Sequence, residues 1–177
     1  MMASSFYKTF GLAFLCSLSL VVSSAQKLYQ VLPDAEEKKL FMGIITVADI
    51  KGDTSFKWYA ETLKYYRPNK ELVDAFKAKS GQFQLVLFAG TWCHDSQAIL
   101  PKYIACAEAA GLADSVITII GTDRQKTTLA NLHKVFNVTL VPTMIVMKEG
   151  KEVGRITEYG NTGLPDAELA ALLGKLD

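Results

Sequence analysis

The chain has 177 residues, half of them hydrophobic and 21% charged, the balance of a folded domain with its own core rather than of a disordered chain. The formal net charge is +1, with no basic block and no interleaving of aromatic and basic residues, which argues against a nucleic-acid-binding surface. With two histidines and no cluster of cysteines, no metal site is expected, and nothing in the composition asks for a cofactor.

Residues 1–25 have the layout of a secretory signal peptide. Lys8 is their only charge, an apolar run extends from Phe10 to Val22, and the small residues Ser23, Ser24 and Ala25 follow, with cleavage expected after Ala25. The run of about 13 residues is short of the roughly 20 that a spanning helix needs. Cys16 is a poor lipoprotein site, because the bulky Phe14 and Leu15 precede it. The expected location is therefore periplasmic or secreted, with no membrane attachment in the mature form. Loss of Lys8 leaves 18 basic and 18 acidic residues, so the mature chain carries no net charge.

After a lead-in from Gln26 to Pro33, the polar run Asp34 to Leu40 reads as a short helix. Ile44-Ile45-Thr46-Val47 reads as a strand. Thr54 or Ser55 can cap a helix through about Tyr66, whose aromatic residues Phe56, Trp58, Tyr59 and Tyr66 fall at helical spacing and read as core packing. Arg67-Pro68-Asn69 stops that helix, and Asn69 caps the next one, with Leu72, Ala75 and Phe76 on its apolar face. The pattern then alternates: strand Phe83–Ala89, helix His94–Ala110, strand Ser115–Gly121, helix Thr127–Phe136. Strands Thr143–Lys148 and Glu152–Glu158 form a hairpin, and a helix from Pro165 to Leu176 closes the chain. Strands alternating with helices predict an α/β fold, a central mixed sheet flanked by helices, with an N-terminal helical and strand elaboration. The domain boundaries expected are 1–25 for the signal peptide, 26–68 for an extension packed on the domain, and 69–177 for the domain itself.

Cleavage leaves two cysteines, Cys93 and Cys106. They lie on one predicted helix, roughly 20 Å apart at 1.5 Å per residue, far beyond the reach of a disulfide. Cys106 sits among Ile104, Ala105 and Ala107 and reads as a small buried apolar residue. Cys93 is different. It stands where the apolar strand ends, after the turn Gly90-Thr91 and beside Trp92. A thiol at a helix start faces the unpaired N–H groups and the positive end of the dipole, which favour the reactive thiolate.

Trp92-Cys93 at a strand–helix junction, Pro101 eight residues on, Thr122-Asp123 at the next strand end, Val141-Pro142-Thr143 before the hairpin and Lys148-Glu149-Gly150-Lys151 at its turn stand in the order and spacing of the thioredoxin superfamily. The resemblance covers about residues 69–176, and Trp58 to Asn69 resembles an extension of exported bacterial thioredoxin-like proteins. It implies a thioredoxin-like fold, a Pro101 kink in the active-site helix, and a cis Pro142 beside the reactive cysteine. The chain departs from the family pattern twice. The Cys-x-x-Cys site is Cys-x-x-Ser, with Ser96 in the second position. The buried acid of the preceding strand falls at Leu87.

A dithiol site forms a mixed disulfide with its first sulfur and releases it with its second. Ser96 cannot do the second step, though it can donate a hydrogen bond to the Cys93 thiolate. The resulting expectation is a monothiol thiol–disulfide oxidoreductase or isomerase. Cys93 and Ser96 carry its catalysis, and Trp92, His94, Asp95, Val141, Pro142 and Thr143 form the substrate groove. Its partners would be protein or low-molecular-weight thiol and disulfide substrates and an external reducing thiol. His94 when protonated and Asp95 act on Cys93 in opposite senses, and His133 reads as a surface residue. Pro142, lacking an N–H, leaves the sulfur uncovered, while the backbone of Val141 offers strand-like pairing to an extended segment. A rival reading keeps the Pro142 groove as a chaperone-like binding module with an idle Cys93. A peroxide-reducing site is disfavoured, since its pattern puts a threonine three residues before the cysteine, after a proline. Here Thr91 is two before it and no proline precedes.

Overall fold

The computed structural model describes residues 27–176; the expected signal peptide, with Cys16, lies outside the described residues. Six strands form one mixed sheet in the order β1-β2-β4-β3-β5-β6. They are β1 (Tyr29–Asp34), β2 (Lys38–Ile45), β3 (Gln84–Ala89), β4 (Ile117–Gly121), β5 (Thr143–Lys148) and β6 (Lys151–Thr157). The helices are α1 (Val47–Lys51), α2 (Trp58–Leu63), α3 (Lys70–Ala78), α4 (His94–Ala110), α5 (Leu132–Val135) and α6 (Pro165–Leu173). β3 and β4 run parallel; β1–β2, β2–β4, β3–β5 and β5–β6 are antiparallel. This is the α/β mixed sheet flanked by helices that the alternating pattern predicts, and the fold that the family resemblance implies.

Period-two alternation on β3 sorts its side chains to two cores. Leu85, Leu87 and Ala89 enter the larger cluster, with Leu72, Phe76, Ile99, Tyr103 and Leu169 of α3, α4 and α6. Phe88 enters a smaller cluster on the other face with Ile120, Val138, Val141 and Ile145, covered by Leu132 and Phe136. Trp92 and Cys93 pack against this smaller cluster, so the strand–helix junction lies over one face of the sheet while its helix lies on the other.

Three local expectations are corrected. Residues 34–40 are no helix but the end of β1, a turn and the start of β2. The Asp34 carboxylate accepts from the Glu36 and Glu37 N–H groups at 3.1 and 2.8 Å, and Lys38 takes a left-handed φ of 67° opposite Asp34. An aspartate that captures the amides two and three residues on offers the backbone a turn in place of a helix. The strand expected through Val47 ends at Ile45, because Thr46 and Asp49 form a reciprocal capping box that starts α1. The next helix begins only at Trp58, since Asp53 holds Ser55 in a turn.

The helix expected over 127–136 is also broken. A 3₁₀ turn at Leu129–Asn131 precedes α5, and both Ala130 and Asn131 have positive φ. By contrast, Asn69 caps α3 by accepting from Leu72 N–H at 3.0 Å, as read from the sequence. α4 spans the range expected, and Pro101 lies inside it. A proline cannot bond the carbonyl four residues back, which frees Gln97 C=O; Thr62 of α2 supplies the missing donor at 3.1 Å.

Candidate functional site

Cys93 is the N-cap of α4, with extended backbone and no side-chain cap bond, so the first-turn amides of the helix open toward its side of the turn. Its amide donates to Gly90 C=O at 3.0 Å and its carbonyl accepts from Gln97 N–H at 2.9 Å, which fixes the turn. The side chain is half-buried, and Sγ donates to Val141 C=O at 3.5 Å. The Val141–Pro142 bond is cis. The loop before β5 therefore does lie against the start of α4, 48 residues away in sequence.

The turn is locked from the N-terminal hairpin. Phe41 N–H of β2 donates to Thr91 Oγ1 at 3.2 Å, and Gln97 Nε2 donates to Thr91 C=O at 2.9 Å. Gly90 has no room for a side chain: a Cβ there would stand 2.7 Å from the Trp92 ring. The indole folds over the turn, half-buried, and its Nε1 donates to Thr122 C=O at 2.9 Å, just past the end of β4.

Ser96 is buried, and its Oγ accepts from Gly90 N–H at 3.1 Å. Donation from Ser96 to Cys93, expected from the sequence, is not among the hydrogen bonds of the described residues. The hydroxyl oxygen serves the turn that carries Cys93. Leu87, at the position of the family's acid, is wholly buried in the larger core. Among the other residues expected here, His94 is exposed. Asp95 is half-buried and accepts from Tyr159 Oη at 3.0 Å, a bond that raises the Tyr159 pKa by stabilising the phenol. Pro142 is buried and its C=O accepts from Glu158 N–H at 2.7 Å. Thr143 is buried too, its hydroxyl donating to Leu140 C=O at 2.8 Å. The exposed rim is thus made by His94, Asp95, Tyr159 and the edge of Trp92, with Val141 and Pro142 as floor.

Three residues near this rim escaped the sequence reading. Tyr159 reaches Asp95 from the β6–α6 connection, and Arg124 lies over the Trp92 ring with its Cζ 5.2 Å from the centroid. Arg124 in turn pairs with Asp34 at the β1–β2 turn. No local pattern marks them, because each meets its partner across 64 or 90 residues of chain. His133, read as a surface residue, is half-buried and bonded to Thr128. Its N–H donates to Thr128 Oγ1 at 3.0 Å, and its ring Nδ1 lies 3.2 Å from the Thr128 amide nitrogen. Among the described residues no group of three or more His, Cys, Asp and Glu side chains is placed to hold a metal ion, and no helix is long and apolar enough to cross a membrane.

Cys106, on the same helix, is fully buried. Its Sγ lies 3.3 Å from Tyr66 Oη, which donates its single proton to Asp166 Oδ2 at 2.9 Å. The Cys106 thiol must then be the donor to Tyr66, and burial pushes its pKa up. Both features keep it protonated and inert.

The Thioredoxin family model matches residues 68–172. Thioredoxin H2 of Arabidopsis thaliana is 32% identical over 78 residues, covering 44% of this chain. The aligned part spans about half, 54%, of that curated relative's length. Among solved structures, an HIV epitope-scaffold superposes with a TM-score of 0.51 at 16% identity over 74% of this chain and 88% of its own, a likeness of fold alone. A reduced thioredoxin pre-protein of Schistosoma mansoni is similar at 20% identity and a TM-score of 0.41, over 63% of this chain and 95% of its own.

Proposed function

The chain belongs to the thioredoxin family, and from that premise we propose that it is an exported thiol–disulfide oxidoreductase or isomerase that works through Cys93 alone. Family membership supports the broader thiol–disulfide role. The narrower reading is carried by one observation: Cys93 Sγ is half-exposed at the start of α4 beside cis Pro142, while the position of a second thiol holds a buried serine bonded to Gly90. Export is supported by the leader-like residues 1–25.

In the first step the Cys93 thiolate attacks one sulfur of a substrate disulfide. A Cys93–substrate disulfide forms, and the other substrate sulfur leaves as a thiolate that takes a proton from water. In the second step an external thiolate attacks the substrate-side sulfur. A new disulfide forms between them and Cys93 leaves as thiolate. In isomerisation the attacking thiolate is another cysteine of the substrate. Substrate backbone would lie along Val141 and Pro142, displacing the Cys93–Val141 contact as the sulfur turns to its target.

The second reading, a binding module, is favoured by Leu87 and by the Ser96–Gly90 bond, which leave Cys93 without a proton relay or an evident hydroxyl donor. Turnover separates the two. With a dye-labelled peptide disulfide and excess small thiol, the protein turns over in proportion to that thiol and Cys93→Ser falls to background. Saturable peptide binding without turnover, equal in both forms, would establish the binding module instead. Rapid peroxide consumption coupled to Cys93 oxidation would move the site to the peroxide-reducing class.

A further inference from the structure

Trp92 is held from three directions. Its Nε1 is bonded to Thr122 C=O at 2.9 Å, and two cations lie over its ring, Arg124 at 5.2 Å and Lys126 at 5.6 Å from the centroid. The two cations differ. Arg124 Nε and Nη2 donate to the two carboxylate oxygens of Asp34 at 2.6 and 2.9 Å, and Nη2 also donates to Glu36 at 2.9 Å. The Asp34 side chain is only 3% exposed and is itself fixed by the amides of Glu36 and Glu37. A guanidinium gripped through both oxygens of a buried carboxylate has its plane set; an ammonium such as Lys126 is a rotating point charge. The chain of fixed groups therefore runs from the turn of the β1–β2 hairpin, through Asp34 and Arg124, to the indole beside Cys93.

We propose that the Asp34–Arg124 pair is a positioning device for Trp92: it holds the indole as a rigid wall of the substrate groove, so that the N-terminal hairpin governs how a substrate chain docks over Cys93 and leaves the chemistry of the sulfur unchanged. The inference rests on Cys93 being the nucleophile. Arg124 and Asp34 touch neither the sulfur nor any reacting atom, and they act only through the ring. A pair serving the hairpin turn alone would have no need of the guanidinium carbon 5.2 Å from the centroid of an aromatic ring 30 or more residues back in the chain.

The test uses a Trp58→Phe background, which leaves Trp92 as the only indole and removes a buried donor that lacks a partner. Arg124→Ala, Arg124→Lys and Asp34→Asn are compared with that parent by acrylamide quenching of Trp92 and by single-turnover mixed-disulfide formation with a dye-labelled peptide disulfide. Arg124→Ala should raise quenching and raise the half-saturating peptide concentration about two- to fivefold, the size of one exposed cation–π contact, with the limiting rate unchanged. Asp34→Asn should reproduce the quenching change with Arg124 still present, and Arg124→Lys should restore the parent only in part. If Arg124→Ala does not fold, the Asp34→Asn and Arg124→Lys pair decides. Unchanged quenching and half-saturation in the folded variants, or a loss confined to the limiting rate, would overturn the proposal. A parent protein that forms no mixed disulfide at any peptide concentration would sink the reading of Cys93 instead, and the quenching comparison would still judge the clamp.

Discussion

One helix carries both cysteines of the described chain, and its two ends treat them oppositely. Cys93 caps the start of α4, half-exposed, against a backbone carbonyl and cis Pro142. Cys106 lies near the other end with no exposed surface, under a tyrosine whose own proton goes to Asp166. The residue type and the helix are the same, so the difference is one of surroundings. Free amides and solvent access make a sulfur available; burial and a hydrogen-bond acceptor keep its proton on. A cysteine count or a helix assignment cannot distinguish these cases, while the groups within about 4 Å can.

The comparison breaks first, and most visibly, on labelling. An alkylating reagent applied to the native protein should modify Cys93 at least about a thousandfold faster than Cys106, because Cys106 reacts only when the core around it opens. Mass mapping of the modified peptides reads this directly; comparable labelling at both positions would dissolve the contrast. Next in size is stability. Cys106→Ala removes a packed sulfur and one partner of Tyr66, and should cost about 1–2 kcal/mol in urea unfolding while leaving peptide-disulfide turnover intact. The reverse pattern, stability kept and turnover lost, would give Cys106 the role assigned here to Cys93.

The smallest effect concerns the β6–α6 connection and the first turn of α6, which together serve both ends of α4: Tyr159 of the connection touches Asp95 near Cys93, and Asp166 of α6 touches Tyr66 near Cys106. Glu168 ties this connection together by accepting from Thr162 N–H and Oγ1, both at 2.6 Å. Those bonds lower its pKa to about 2 from the usual 4.5. A carboxylate whose folded pKa is depressed stabilises fully above its unfolded value, and that contribution is lost as pH falls from about 4.5 toward 2. Glu168→Gln should therefore unfold with a shallower acid dependence across that window than the parent. Identical acid melts would show that the loop carries no linked proton.

The sequence anticipated the elements that apolar runs bound, and missed both the turns that single short-range side-chain bonds decide and the contacts made across the fold. Asn69 capped its helix as read, because the acceptor and the amide it serves lie three residues apart. The strand before Cys93 and the helix after it were visible because apolar runs and a turn bound them. The stretch from Asp34 to Leu40 reads as a polar helix, although Asp34 captures the amides of Glu36 and Glu37 and turns the chain; a residue pattern does not choose between an aspartate that starts a helix and one that makes a turn. The break at Ala130 and Asn131 is missed because both take a left-handed φ, a conformation that an asparagine tolerates but that an apolar helical spacing does not reveal. The same division holds at the site. The family spacing points to Trp92, Cys93 and Pro142 lying together, and the Cys93 sulfur does meet the carbonyl of Val141. Tyr159, Arg124 and Asp34 were not, because this chain builds those contacts across the fold. Ser96 was identified, but its hydroxyl turns inward to Gly90, a direction that residue identity does not reveal.

The sharpest test of a lone working sulfur is the lifetime of its adduct. The protein is charged with a small disulfide, freed of excess reagent, and followed by intact mass, beside a Ser96→Cys variant treated the same way. The parent adduct should map to Cys93 and persist until an external thiol is added, whereas Ser96→Cys should expel it unaided and close an internal disulfide between Cys93 and the introduced thiol. A parent adduct that leaves without added thiol, or one that maps to Cys106, would contradict the account.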